Sequence, residues 1–305
     1  MNAPSTDLDL APLDPGPADA WAAVDPSEVR RIIDVAVDED LRLGPDVTTE
    51  ATVPADAVGV AEVVAREAGV VAGVEVAALV LRAVSSRLGA EATCEVVLTD
   101  GARVGPGDVV LRIAGPVRCL LTAERTLLNF LGQLSGVATA TASWVAAVDR
   151  TGARIRDTRK TVPGMRALQK YAVVCGGGVN HRMALGDAAL IKDNHVAAAG
   201  SVAAAFAAVR ELAPGVAVEV ECDTVEQVRE AVAAGAELVL LDNMTLDQTR
   251  ESVAVCRAAG VRTEASGGLT LDRAAEVAAT GVDFIAVGAL THSAPVLDLG
   301  LDLTV

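Results

Sequence analysis

Residues 217–243 read AVEVECDTVEQVREAVAAGAELVLLDN, with two short apolar runs on either side of a longer amphipathic segment. The runs at 218–220 and 238–241 have the length and composition of buried strands, whereas 224–234 has the spacing of a helix. A strand, a helix and a second strand in this order predict a right-handed unit in which the two strands are parallel.

The same pattern continues on both sides of this unit. Further strands are predicted at 155, 189–191, 262–264 and 284–287, and further helices at 201–212, 246–259 and 271–279. The last three strand-to-strand intervals are about 22 residues each, which suits repeated strand–helix units. The prediction is an irregular or incomplete α/β barrel of six to seven parallel strands.

A different pattern precedes the barrel. A helix is predicted at 26–43, with Asp25 as its N-cap and Pro26 at its first position. A strand at 58–66, a helix at 74–88 and strands at 93–98 and 108–113 complete a small α/β domain, and a long helix at 123–147 leads into the barrel. The first residues are acidic and rich in Pro and Ala, so we expect 1–25 to be a disordered leader.

Composition excludes several classes of protein. The chain has 305 residues and a net charge of −16, which argues against nucleic-acid binding because that requires a basic face. It lacks an apolar run of about 18 residues, so we expect no membrane span. The five cysteines are widely spaced and form no CxxC pair, which fits a reducing cytoplasm better than disulfides or a zinc site.

The distribution of charge points to an anionic ligand. Residues 154–195 carry eight Lys or Arg against three Asp, in a chain that is otherwise strongly acidic. Such a concentration of cations repels itself unless an anion lies among them, although a solvated basic helix face is an alternative. The candidate anion-binding residues are Arg159, Lys160, His181, Arg182 and Lys192.

Barrel enzymes carry their active sites at the carboxyl ends of the strands. Glu221 and Asp242 follow consecutive predicted strands, and a pair of carboxylates there suits Mg²⁺, which binds one or two carboxylates together with substrate oxygens. Acid–base chemistry of the glycosidase type is a poorer fit, because nearby cations would keep both groups ionised. The ends of the last two strands carry a candidate phosphate site formed by Ser266, Gly267, Gly268 and Gly288.

Long segments of the chain resemble one family. RDTRKTVPGMRALQKYAVVCGGGVNHR (156–182) and DAALIKDNHV (187–196) are similar to the signature of the quinolinate phosphoribosyltransferases. VEVECDT, LVLLDNM, EASGGL and DFIAVGALTHS follow in the family's order, and GPDVTTEATVP and LTAERTLLNFLGQLSG precede them. The resemblance covers residues 26–305.

The resemblance implies a fold and an activity. The fold would be an open α/β sandwich at 26–128, to which the tail 293–305 returns, followed by the barrel at 129–292. The enzyme would transfer phosphoribosyl from 5-phosphoribosyl-1-pyrophosphate to quinolinate, forming nicotinate mononucleotide, pyrophosphate and CO₂, a step of NAD biosynthesis. The expected cofactor is Mg²⁺, and the expected assembly is a homodimer or a higher oligomer.

The resemblance also implies residue roles. Arg159, Lys160, His181 and Arg182 would bind the quinolinate carboxylates with Lys192 nearby, and Arg125 would be supplied by the neighbouring subunit. Glu221 and Asp242 would serve the ribose hydroxyls and Mg²⁺, while Ser266, Gly267, Gly268 and Gly288 would hold the 5′-phosphate. The candidate catalytic residues are Lys160, Glu221 and Asp242.

Three alternatives stay open at this point. A sibling transferase could use another acceptor, although Arg159, Arg182 and His181 together favour a dicarboxylate. A Schiff-base lyase could use Lys192. A non-catalytic sensor of anionic metabolites would not need both Glu221 and Asp242.

Overall fold

The computed structural model describes residues 16–305, which divide into two compact units. The amino-terminal unit comprises residues 16–142 with Lys160–Gly177 and Ala289–Val305, and the sheet unit comprises Ser143–Arg159 and Gly178–Gly288. In the described range, no helix combines the length and the apolar content that crossing a membrane would require.

An antiparallel sheet of four strands, in the order β12-β1-β5-β3, organises the amino-terminal unit. The elements of this unit are α1 (Pro17–Ala22), α2 (Pro26–Leu41), α3 (Val47–Thr52), β1 (Val58–Ala65), β2 (Gly69–Val70), α4 (Val74–Leu88), β3 (Thr93–Val96), β4 (Arg103–Val104), β5 (Val109–Pro116), α5 (Val117–Ala147), α6 (Arg166–Cys175), α12 (Ala289–His292) and β12 (Leu299–Thr304). The last residues of α5, from Ser143 onward, fall in the sheet unit. The tail 293–305 contains β12, which pairs with β1.

A parallel sheet of six strands, in the order β6-β11-β10-β9-β8-β7, forms the sheet unit. Its elements are β6 (Arg154–Arg156), β7 (Ala189–Ile191), α7 (Asp193–Ala199), α8 (Val202–Leu212), β8 (Val218–Cys222), α9 (Val225–Ala234), β9 (Leu238–Asp242), α10 (Leu246–Ala258), β10 (Arg262–Ser266), a 3₁₀ turn (Leu271–Arg273), α11 (Ala274–Ala278) and β11 (Phe284–Ala286). All six predicted strands and the alternating helices are confirmed. Among the described residues β7 does not pair with β6, so hydrogen bonding leaves the sheet open and the barrel incomplete.

Local sequence accounts for how the helices begin. The Asp25 side chain accepts a hydrogen bond from the Ser27 N–H at 2.8 Å, and Pro26 occupies the first helical position of α2, as predicted. In α9, Thr224 and Gln227 form a reciprocal capping box, and Gly235 ends the helix in the left-handed conformation. These local signals fix where α2 begins and where α9 begins and ends.

The structure differs from the predicted leader and domain boundary. Residues 1–15 of the leader lie outside the described range, but Pro17–Ala22 form a helix whose Trp21 ring packs 5.2 Å from the Tyr171 ring. Residues 160–177 were expected in the barrel domain but belong to the amino-terminal unit. The reason is that α6 is buried within that unit, where the Gln169 side chain donates to the Thr291 carbonyl at 2.6 Å.

Candidate functional site

The carboxyl ends of the parallel strands bring polar residues to one edge of the sheet. The β9–β10 register places Asp242 beside Ser266, and the β6–β11 register places Arg156 beside Ala286. Glu221 lies near the end of β8, one strand away from Asp242. This edge, with the loops that follow it, is the candidate active site.

Two arginines at this edge carry buried donors without protein acceptors. The Nε atoms of Arg159 and Arg182 are inaccessible to solvent and have no hydrogen-bond partner. The Arg182 Nη1 donates to the Ala188 carbonyl at 2.8 Å, which holds part of that guanidinium in place. Burial, followed by the charge of Arg159, lowers the pKa of the Arg182 guanidinium. Part-buried guanidiniums with unused buried donors have the chemistry that binding of an anion requires.

His181 is engaged by protein groups at both ring nitrogens. Its Nδ1 accepts the backbone N–H of Arg182 at 2.7 Å, and its Nε2 lies 2.9 Å from a Glu219 carboxylate oxygen. A Glu264 oxygen lies 3.7 Å from the same Nε2. The backbone N–H of His181 donates to Asp157 at 2.8 Å, so both ring and backbone are held. The His181 side chain is 8% exposed.

The two carboxylates beside His181 belong to a buried charged network. The Arg156 Nη1 lies 2.6 Å from Glu264, whose side chain is fully buried. Burial raises the pKa of Glu219 and of Glu264 to about 7, against the opposing charge of Arg156. These two carboxylates raise the pKa of Arg156 although its burial acts in the opposite direction. Within residues 16–305, His181, Glu219 and Glu264 are the one cluster of three with metal-ligand spacing, but Arg156 already supplies a cation there.

Glu221 and Asp242, the predicted metal ligands, both have partners in the protein. The Lys192 Nζ lies 2.6 Å from Glu221, whose side chain is 13% exposed. Asp242 accepts a hydrogen bond from the side-chain amide of Asn243 at 2.7 Å. Two carboxylates on adjacent strands match the donor set of a Mg²⁺ ion that takes its other ligands from substrate and water.

The loop after β10 turns through two glycines with left-handed backbone conformation. Gly267 and Gly268 have φ values of +96° and +57°, in the left-handed region. A Cβ at Gly267 would overlap the Asn243 side chain, whereas a Cβ at Gly268 would meet nothing within 4 Å. The Asn243 N–H donates to the Ser266 carbonyl at 3.1 Å and fixes the start of this loop. Gly288 follows the neighbouring strand β11 and is partly exposed.

Two predicted site residues belong to the amino-terminal unit. Arg125 is exposed on the surface of α5. Lys160 is also exposed, and its carbonyl accepts a hydrogen bond from the Thr291 hydroxyl at 2.8 Å. The sheet unit contains the other candidates: Arg159, His181, Arg182, Lys192, Glu221, Asp242, Ser266, Gly267, Gly268 and Gly288.

The network behind His181 consists of Arg156, Glu219 and Glu264, which are not among the candidate site residues predicted from the sequence. One signal was present. Charged residues inside short apolar strands, as in VEVEC and RTEAS, cannot be buried without a partner, so each of them predicts a buried ion pair.

Comparison with known proteins gives family matches along most of the chain. The N-terminal domain of quinolinate phosphoribosyl transferase matches residues 46–135, and its C-terminal domain matches 137–302. A nicotinate-nucleotide pyrophosphorylase (carboxylating) from Mycobacterium leprae is 56% identical over 270 residues, covering 88% of this chain and 94% of that protein. A probable enzyme of the same name from Bacillus subtilis is 43% identical, covering 80% of this chain and 83% of its own length.

Solved structures agree with these matches. The crystal structure of NadC from Streptococcus pyogenes superposes with a TM-score of 0.86 at 39% identity, covering 92% of this chain and 98% of that one. The nicotinate-nucleotide pyrophosphorylase of Francisella tularensis gives 0.85 at 35% identity, with the same coverage. Sequence, fold and the arrangement of charged strand ends lead to one conclusion: this chain belongs to the quinolinate phosphoribosyltransferase family.

Proposed function

We propose that this chain transfers phosphoribosyl from 5-phosphoribosyl-1-pyrophosphate to quinolinate, releasing pyrophosphate and CO₂ and forming nicotinate mononucleotide. The observation that carries the proposal is the pair of part-buried arginines, Arg159 and Arg182, whose buried Nε donors lack protein acceptors. They lie in the same unit as two strand-end carboxylates and a glycine loop. These parts suit a dicarboxylate and a phosphorylated ribose.

The acceptor is held by its carboxylates. A guanidinium binds a carboxylate through two parallel N–H donors, so Arg159 and Arg182 match the two acidic groups of quinolinate. A monocarboxylate would leave one desolvated cation unpaired, which is costly. Lys160 and Lys192 add charge to the carboxylate-binding site, and Arg125 enters it from the neighbouring subunit of a homodimer.

The donor is held at its ribose and at its phosphates. Glu221 and Asp242 would bind Mg²⁺ and the ribose hydroxyls, because hard carboxylate oxygens are the donors that this ion prefers. When bound, Mg²⁺ neutralises charge on the pyrophosphate leaving group. The backbone amides of Ser266, Gly267 and Gly268, with Gly288 on the neighbouring strand end, would receive the 5′-phosphate.

The reaction needs positioning more than a reactive side chain. Loss of pyrophosphate leaves an oxocarbenium-like ribose, which the pyridine nitrogen of quinolinate attacks at C1′, so correct orientation supplies much of the rate. The alkylated ring then stabilises the carbanion left when the adjacent carboxylate departs as CO₂. No covalent intermediate with the protein is needed, and burial raises the pKa of the Cys175 thiol to about 12, which disfavours a thiolate.

We assign the enzyme to the cytoplasm. The supporting observation is that all five cysteines are free, four of them buried, as expected for a protein of a reducing compartment.

Product chromatography tests the proposed acceptor. Incubation with phosphoribosyl pyrophosphate, Mg²⁺ and quinolinate should give nicotinate mononucleotide, whereas nicotinate in place of quinolinate should give none. Product from nicotinate and none from quinolinate would overturn the assignment.

A further inference from the structure

The imidazole of His181 has no nitrogen left for a substrate. Nδ1 accepts the Arg182 backbone N–H at 2.7 Å, so Nδ1 carries no proton. Nε2 must then carry the ring proton, and it lies 2.9 Å from Glu219, within hydrogen-bond distance. A substrate carboxylate needs a donor, and the one N–H of this neutral tautomer is directed to Glu219.

The groups around Nε2 are themselves fixed. Glu219 and Glu264 are 5% and 0% exposed, and each keeps one buried oxygen without a hydrogen-bond partner. The Arg156 guanidinium binds the other oxygen of Glu264 at 2.6 Å and lies 4.9 Å from the centre of the Phe284 ring. A held carboxylate beside a histidine selects its tautomer and ring orientation, as second-shell groups do for metal ligands.

The other end of the imidazole acts on the backbone of the anion site. The Arg182 N–H that Nδ1 accepts is in the same residue as one of the two guanidiniums with an unpartnered buried Nε. The Arg182 guanidinium is held at its far end by the Ala188 carbonyl. The His181 ring therefore fixes the near end of Arg182, and Ala188 fixes the far end.

We propose that His181 is a positioning residue, whose Nε2–H tautomer is set by Glu219 and whose Nδ1 orients Arg182 for the acceptor carboxylate. This inference rests on the proposed function only for the identity of the acceptor. The tautomer itself is a property of the free protein, so it can be tested whether or not quinolinate is the substrate.

Nitrogen NMR of the histidine-labelled protein measures the tautomer directly. The chain has three histidines, and His195 and His292 are exposed, so their signals are identified by loss in His195→Gln and His292→Gln. We expect the His181 Nδ1 to give a pyridine-type signal and Nε2 a pyrrole-type signal, both keeping their type when quinolinate is added. A protonated Nδ1 would overturn the proposal. So would an Nε2 signal showing that the N–H donates its hydrogen bond to added quinolinate and no longer to Glu219.

Two substitutions of similar size separate positioning from a general effect on folding. Glu219→Gln keeps an oxygen that can accept from Nε2, whereas Glu219→Leu removes it. We expect the Gln variant to keep the His181 tautomer and the Leu variant to lose it, with a rise in KM for quinolinate of about tenfold. KM for phosphoribosyl pyrophosphate should stay unchanged in both.

Equal His181 spectra in the two variants would contradict the role of Glu219. If Glu219→Leu does not fold, the wild-type and Glu219→Gln spectra still decide the tautomer. An inactive wild-type protein with the expected tautomer would refute the proposed function while leaving the positioning role of His181 intact.

Discussion

Replacement of Arg159 by alanine tests the carboxylate site most sharply. The Nε of this side chain is buried without a partner, so the substitution removes donors available to a ligand and breaks no Nε hydrogen bond within the protein. Removing one partner of a desolvated charge pair costs about 2–5 kcal/mol. At about 1.4 kcal/mol per tenfold change, kcat/KM for quinolinate should fall by roughly 30-fold to several thousandfold.

The assay is initial-rate kinetics with quinolinate varied at saturating phosphoribosyl pyrophosphate. Arg250→Ala is the matched control, because Arg250 is 52% exposed and pairs with the exposed Asp247 on α10. It should leave kcat/KM unchanged. Near-normal kcat/KM in Arg159→Ala, with the fold intact by circular dichroism, would refute the reasoning that Arg159 binds an acceptor carboxylate.

Three further predictions concern the metal, the assembly and the buried network. Glu221→Gln combined with Asp242→Asn should abolish turnover together with its Mg²⁺ dependence; an active double variant would refute the metal assignment. Inactive Arg125→Ala mixed with inactive Lys160→Ala should regain part of the activity through hybrid dimers; no recovery, in dimers shown to exchange subunits, would contradict a shared site. Arg156→Met should lower the unfolding free energy by about 3–5 kcal/mol in urea titrations, because it leaves a fully buried carboxylate unpaired; an unchanged midpoint would contradict the importance of that pair.

Much of the sheet unit could be predicted because its signals are local. Short apolar runs with capping residues between them define β8, α9 and β9, and a parallel sheet then requires Glu221 and Asp242 to share one edge. The glycines after β10 are likewise readable, since their left-handed φ values are available to few other residues.

The rest depended on contacts between residues distant in sequence. Helix α1 lies in a segment that the sequence predicts as a disordered leader. Its Trp21 packs on Tyr171, about 150 residues later in the chain, and a contact over that distance cannot be inferred from the local sequence. Helix α6, which lies within the predicted barrel domain 129–292, groups with the amino-terminal unit through contacts between residues distant in sequence. The partners of His181, Glu219 and Glu264, lie on β8 and β10, so their sequence indicates that each carboxylate needs a partner but not that the partner is His181.

The measurement that tests the central claim most directly is release of labelled CO₂ from quinolinate that carries the label in the carboxylate adjacent to the ring nitrogen. We expect CO₂ to appear only when phosphoribosyl pyrophosphate is present, and in equal amount to pyrophosphate, because decarboxylation follows alkylation of the ring. CO₂ release without phosphoribosyl pyrophosphate, or pyrophosphate release without CO₂, would contradict it.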